Sequence, residues 1–229
     1  WRISDDEVIQ GFSRAKLMMI TNQEKLERVE KGLDFPSILD DAIIDDDDDA
    51  DGDNDDERFI PFARWQGTLD TRIGEYSKAS RSGFCAIRSP EFAFGGADLG
   101  SRYNALEFLC RPDGRKYTVN LRVRTYFPDD MFQAFILYDG KEESSGNIVV
   151  APENGFSRII LPFRKFFLTS GGRMRAIQRV LDGAICIEAI GLTLMDGQDG
   201  DFVFDLARIR LVNYIDGEIL GEDDEDAPY

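Results

Sequence analysis

A chain of 229 residues without a single histidine must do any acid-base, nucleophilic or metal chemistry with carboxylates, thiols and cations alone. That composition excludes the Ser-His-Asp and Cys-His triads, the HExxH zinc sites and the imidazole pH switch. The three thiols, Cys85, Cys110 and Cys186, are far apart and form no CxxC pair. They read as reduced, buried hydrophobes in a reducing compartment, not as redox or zinc ligands. Asp129-Asp130 and Glu142-Glu143 are the acid pairs that a glycosidase would need, yet adjacent residues in a strand-rich chain point apart, and solvated turns are the better reading. Asp47 to Gly52 opens like an EF-hand loop, but Arg58 stands where the bidentate glutamate belongs. Gly95-Gly96 and Gly100 do not complete GxGxxG and no strand leads into a helix there, so a dinucleotide loop is not supported. The expectation is a protein without a catalytic, cofactor or metal site.

One constellation remains. Between Asn154 and Leu181 there is no acid, while Arg158, Arg164, Lys165, Arg173, Arg175 and Arg179 alternate with Phe163, Phe166 and Phe167. Two readings stay open: phenylalanines that enter the core while the cations snorkel outward, and a docking surface for a protein partner. The spacing of Met174, Ile177 and Leu181 suggests a short helix over Arg173 to Leu181, with Arg175 and Arg179 presented together on its exposed side. Nucleic acid is disfavoured as the partner, because the acidic tracts of the same chain would repel phosphates.

Those tracts account for the net charge of -17. Residues 34 to 57 hold 13 acids and residues 216 to 226 hold 7, with no Lys or Arg in either; the rest of the chain sets 24 acids against 27 bases. The body is therefore almost neutral, and the strong field is local. Residues 32 to 58 read as a disordered insertion that interrupts a single domain over 1 to 215, and 216 to 229 as an acidic tail. Replacing 34 to 57 by a short Gly-Ser linker should leave thermal unfolding nearly unchanged; a melting temperature lower by more than about 5 °C would show that the insertion packs.

Outside the tracts, short apolar runs alternate with turn signals. Tyr117 to Thr125 shows strict period-two alternation, and Phe202, Phe204 and Leu206 repeat it. Further strands are expected at Trp65 to Leu69, Phe84 to Ile87, Ala105 to Cys110, Phe132 to Tyr138, Ile159 to Phe163, Ile185 to Met195 and Ile209 to Tyr214. Thr21 to Lys31 carries a weak helical pattern ending at Gly32. Pro112-Asp113-Gly114 and Asn154-Gly155 supply turn chemistry between runs. Many short strands with so little helix give an all-β chain, an antiparallel β-sandwich. No window approaches the roughly 18 apolar residues of a membrane-spanning helix, so no transmembrane segment is expected.

Several stretches, in order, carry a resemblance. Trp1 with Ser4-Asp5 and Gly11-Phe12-Ser13 comes first, then Ser82-Gly83-Phe84-Cys85-Ala86. Leu106 through Arg111-Pro112-Asp113-Gly114-Arg115 with Tyr117 follows, then Leu161-Pro162-Phe163 with Phe166, and Ile190-Gly191-Leu192 leading into Gly200 and Phe202. Together they resemble the family of the mitochondrial complex I intermediate-associated protein of thirty kilodaltons. The resemblance implies a galactose-binding-like jelly roll and a non-enzymatic role in assembling respiratory complex I. It also implies a mitochondrial, matrix-side address, soluble or peripheral to the inner membrane through partners, with membrane-arm intermediates and other assembly factors as those partners. A carbohydrate-binding module is the alternative; Tyr76, Tyr103, Tyr126 and Tyr138 are its candidate aromatic platforms, and core packing is their plainer reading.

Overall fold

In the computed structural model the described residues are 1–9, 11–31, 59–75, 82–100, 102–127, 129–138, 147–182, 185–215 and 217–220. The acidic insertion, Tyr76, Glu142-Glu143 and residues 221 to 229 lie outside them. The chain opens with strands β1 (Arg2–Asp5) and β2 (Arg14–Ile20), then a helix α1 (Gln23–Glu30). Asn22 caps that helix, its side-chain oxygen accepting from the Lys25 amide at 2.8 Å. Next come β3 (Phe62–Leu69), β4 (Cys85–Arg88), β5 (Ala97–Asp98), β6 (Ala105–Pro112), β7 (Tyr117–Val123) and β8 (Asp130–Ile136). The second half adds β9 (Ile148–Glu153), β10 (Phe156–Pro162), β11 (Phe167–Ser170), β12 (Arg173–Met174), β13 (Cys186–Leu194), β14 (Gly200–Ile215) and β15 (Glu218–Leu220).

All pairings are antiparallel. One sheet runs β1-β4-β13-β7-β8-β11-β12, with β5 beside β13; the other runs β2-β3-β14-β6-β10-β9, with β15 beside β14. The two sheets face each other across one hydrophobic layer, which is the expected sandwich, a jelly roll. The alternation of β7 is realised in full, its Tyr117, Val119 and Leu121 at 0% exposure and its even residues outward. Trp65 of β3 is equally enclosed, with Phe202 edge-on at 5.0 Å and Tyr117 at 5.8 Å. Cys85 and Cys110 belong to this core as free thiols, and burial pushes Cys85 up to about 12. Cys186 is only partly buried.

Two expectations change. The helix expected over Arg173 to Leu181 is absent: Arg173–Met174 is a strand, and the residues after it form an irregular loop. Gly171 and Gly172, both at positive φ, turn the chain back so that Ser170 pairs with Arg173 and Thr169 with Met174, which is a hairpin and not a helix start. The one α-helix among the described residues is α1, within the weaker pattern at Thr21 to Lys31. Sheet pairing also continues past residue 215, since Asn213 to Ile215 pair with Leu220 to Glu218.

Candidate partner-docking surface

The basic stretch is distributed over both sheets. Arg158 lies on the outer face of β10, its guanidinium 3.1 Å from the Glu107 carboxylate, which is wholly buried. Arg208 and Arg210 of β14 reach the same carboxylate at 3.5 and 2.7 Å. Arg164 and Lys165 project from the turn after β10, while Phe163 and Phe166 beside them are buried, as the snorkelling reading requires. Arg173 lies on β12 at the far edge of the first sheet, and Arg175 and Arg179 lie on the loop behind it.

That loop is held from inside. The side-chain amide of Gln178 imitates a neighbouring strand: its oxygen accepts from the Leu168 N–H at 2.7 Å and its nitrogen donates to the Leu168 carbonyl at 3.1 Å. Arg175 donates its amide to the same carbonyl at 3.0 Å and its guanidinium to Asp130 at 3.0 Å, while lying 5.3 Å over the Phe127 ring. Leu181 is buried in the core at the loop's end. With those anchors satisfied, Met174, Ile177 and Val180 stand 68, 83 and 67% exposed, next to exposed Arg173 and Arg179. Tyr126 and Phe127 extend the patch, Tyr126 being fully exposed. The helical spacing hid this, because a helix would have turned Met174 and Ile177 inward. Neither residue type nor period marks an apolar side chain that a pinned loop turns outward.

Buried carboxylates were the other feature missed. Asp6, at 0% exposure, accepts from the Ser13 amide (2.8 Å) and hydroxyl (3.0 Å), the Ser82 hydroxyl (2.8 Å) and the Gly83 amide (2.5 Å). Burial pushes its carboxyl up, but hydrogen bonds from Ser82, Gly83 and Ser13 outweigh it and hold Asp6 below the usual carboxylate range. The Arg111-Pro112-Asp113-Gly114-Arg115 turn is a second lock. Arg115 grips Asp196 with two bonds of 2.9 and 2.7 Å, Asp113 accepts from the Tyr117 hydroxyl at 2.9 Å and the Val203 amide at 2.8 Å, and Arg111 binds Asp205 at 2.7 Å. Asp196 is also held low, because its bonds from Arg115 and the Gln198 amide exceed the effect of burial. These acids are tied to donors of the fold, and no group of three or more His, Cys, Asp or Glu among the described residues is placed to hold a metal.

A groove of about 470 Å³ crosses the outer face of the first sheet, over Arg2, Arg88, Asn120, Arg122, Gln133 and Thr193, with no aromatic ring in its lining. Of the tyrosines proposed as sugar platforms, Tyr138 packs against the core, Tyr126 belongs to the loop patch and Tyr103 lines a different groove.

Of the stretches that carry the resemblance, Gly11-Phe12-Ser13 and Ser82-Gly83 meet in the Asp6 knot, and Arg111 to Tyr117 meets Gly200 in the Arg115 lock. The profile of the family described as complex I intermediate-associated protein 30 matches residues 1–206. The chain belongs to this family. A mouse relative, "Complex I intermediate-associated protein 30, mitochondrial", is 32% identical over 150 residues, covering 61% of this chain and 41% of the relative. The chain thus spans less than half the length of that relative. Among solved structures it is similar to the family 11 carbohydrate-binding module of Clostridium thermocellum. The module in complex with a mixed-linked tetrasaccharide gives TM-score 0.43 at 12% identity, covering 88% of this chain and 84% of that one. The module of the cellulase Lic26A-Cel5E gives 0.46 at 11%, covering 88% and 83%.

Proposed function

We propose that this chain is a non-enzymatic assembly factor for mitochondrial respiratory complex I that holds membrane-arm intermediates through protein contacts on the matrix side. Family membership supports the process, and the exposed apolar loop after β12 supports the mode. A pinned loop that presents Met174, Ile177 and Val180 to water, rimmed by arginines and two aromatic residues, has the composition of an interface core before its partner arrives. Arg173 and Arg179 add cations able to grip carboxylates in two-bond geometry, and Arg175 is already fixed by Asp130. Other assembly factors and membrane-arm subunits are the proposed partners. Attachment to the inner membrane is proposed to run through those partners; no helix of the described residues is long and apolar enough to cross a membrane.

The test is co-purification from mitochondria. Changing Met174, Ile177 and Val180 to Ser should leave melting within about 2 °C, since exposed positions tolerate substitution, and should reduce capture of complex I intermediates at least tenfold. Arg173→Glu with Arg179→Glu should weaken capture further as salt is lowered, by reversing the charge complementarity. Wild-type recovery of intermediates by the triple Ser variant would place the interface elsewhere.

A further inference from the structure

We infer that the groove on the outer face of the first sheet binds a small phosphate monoester that also carries hydroxyl groups. The phosphate lies on Arg2 and Arg88, and the hydroxyls face Thr193, Asn120 and Gln133. The site stands apart from the loop after β12, toward the other end of the same sheet, and does not rest on the assembly reading. Every residue that lines it belongs to one of five adjoining strands, β1, β4, β13, β7 and β8, so the sheet itself builds the groove. Register puts the key residues in one row. Arg2 is opposite Arg88, Arg88 opposite Gly191, Gly191 opposite Asn120, and Asn120 opposite Gln133. At about 4.8 Å between strands the row is roughly 19 Å long, with cations at one end and amides at the other.

The two cations lack a counter-charge. Like charges directly opposite on neighbouring strands repel, so the Arg2–Arg88 pair is held at a cost in stability. Both residues are exposed, and among the described residues neither guanidinium has a carboxylate partner. Arg122, by contrast, is engaged by Glu91 and Glu188 at 3.2 and 3.4 Å and is left out of the site. A guanidinium donates two parallel bonds, so one arginine satisfies both oxygens of a carboxylate. Two side by side suit the three terminal oxygens and nearly double charge of a phosphate monoester. At the centre of the row Gly191 clears the floor: a Cβ there would stand 3.0 Å from the Ile87 carbonyl oxygen and 3.8 Å from the Arg88 Cβ. Roughly 10 Å then separates the Arg88 and Asn120 strands, room for a small ring or polyol. The far wall is already oriented. The Gln133 amide donates to the Asn120 side-chain oxygen at 2.6 Å, and the Asn120 amide donates to the Thr193 hydroxyl at 2.9 Å. Thr193 thus keeps a proton to donate and Gln133 an oxygen to accept, the two functions that a ligand hydroxyl answers. No aromatic ring lines the groove, so a nucleotide base has nothing to stack on, and a volume of about 470 Å³ suits a ligand of sugar-phosphate size.

The probe is glucose 6-phosphate, titrated into the whole chain by calorimetry while the side-chain amides of Asn120 and Gln133 are followed by NMR. Saturation in the millimolar range or below, with shifts at both amides, is the expected result. Methyl phosphate lacks the hydroxyls and glucose lacks the phosphate, and each should bind at least tenfold more weakly. Glucuronate, with a carboxylate in place of the phosphate, should bind at least threefold more weakly. Arg2→Gln with Arg88→Gln should weaken glucose 6-phosphate at least tenfold while melting stays equal or rises, because the like-charge pair is gone. Loss of binding at undiminished stability separates a ligand site from a structural role. The inference is overturned if glucose 6-phosphate shifts neither amide at millimolar concentration, or if the double Gln variant binds it at wild-type affinity. It is also overturned if methyl phosphate or glucuronate binds as tightly, since the row would then be a bare anion contact.

Discussion

Asp6→Ala should lower the melting temperature by roughly 6 to 15 °C, one of the two largest effects expected from a single substitution in this fold. The carboxylate is fully buried and accepts four hydrogen bonds from two separate segments, at Ser13 and at Ser82-Gly83. Its removal strands the buried amides of Ser13 and Gly83, at about 1–3 kcal/mol each, and a domain of this size loses about 2–4 °C per kcal/mol. Gly11 supplies an independent reading of the same knot. A Cβ built there would stand 2.2 Å from the Asp6 Cγ, so Gly11→Ala must displace the carboxylate and should be nearly as damaging. Added to Asp6→Ala it should cost much less, because the obstructing carboxylate is gone; that non-additivity is the signature of direct coupling. The pH dependence follows from the depressed folded-state value of Asp6. A carboxylate whose folded pKa lies below its unfolded one, about 3.9, stabilises fully above the unfolded value and loses that contribution as pH falls through the folded one. The gap between wild type and Asp6→Ala should therefore be constant near neutrality and narrow below about pH 4. A change in melting of less than about 2 °C for Asp6→Ala at pH 7 would refute the knot.

Sequence reading succeeded where one physical rule decides the outcome locally. The alternation of Tyr117, Val119 and Leu121 against Thr118, Asn120 and Arg122 is enough to make a strand with one dry face, and the structure buries the expected set. It failed where distant partners decide. Met174, Ile177 and Leu181 carry a helical period, but the two glycines before them and the Gln178 amide on Leu168 commit the segment to a hairpin and a pinned loop. Strand β9 was not expected, and Pro152 within it belongs with its place at the sheet edge. The six cations were grouped by nearness in sequence, and the fold separates Arg158 from Arg173, Arg175 and Arg179 by placing them on different sheets. Charge balance in the interior was equally illegible: Glu107 is a lone acid in an apolar run, and its partner Arg210 lies 103 residues away.

Glu107→Ala should cost about 3–5 kcal/mol, the other large effect, because it leaves cations beside a buried site without their counter-charge. Arg158, Arg208 and Arg210 converge on this one carboxylate, which is 0% exposed, while their own side chains are 15, 42 and 31% exposed. The asymmetry sets the order of effects. Losing the acid affects three guanidinium groups at once, whereas losing one arginine leaves two to neutralise the acid, so Arg208→Ala should cost under about 1 kcal/mol, as a half-exposed pair does. Arg158→Ala should fall between, at about 1–2 kcal/mol, since its stem is buried as well as its charge paired. Glu107→Gln keeps the shape and two polar atoms but not the charge. If it destabilises nearly as much as Ala, the carboxylate acts through charge; if it is close to wild type, hydrogen bonding and packing suffice. These variants also separate stability from docking. Arg158→Ala should retain capture of complex I intermediates when assayed well below its melting temperature, whereas the Met174, Ile177 and Val180 variant should lose capture at unchanged stability. A reversal of those two results would move the partner face from the edge of the first sheet to the arginine-lined face of the second.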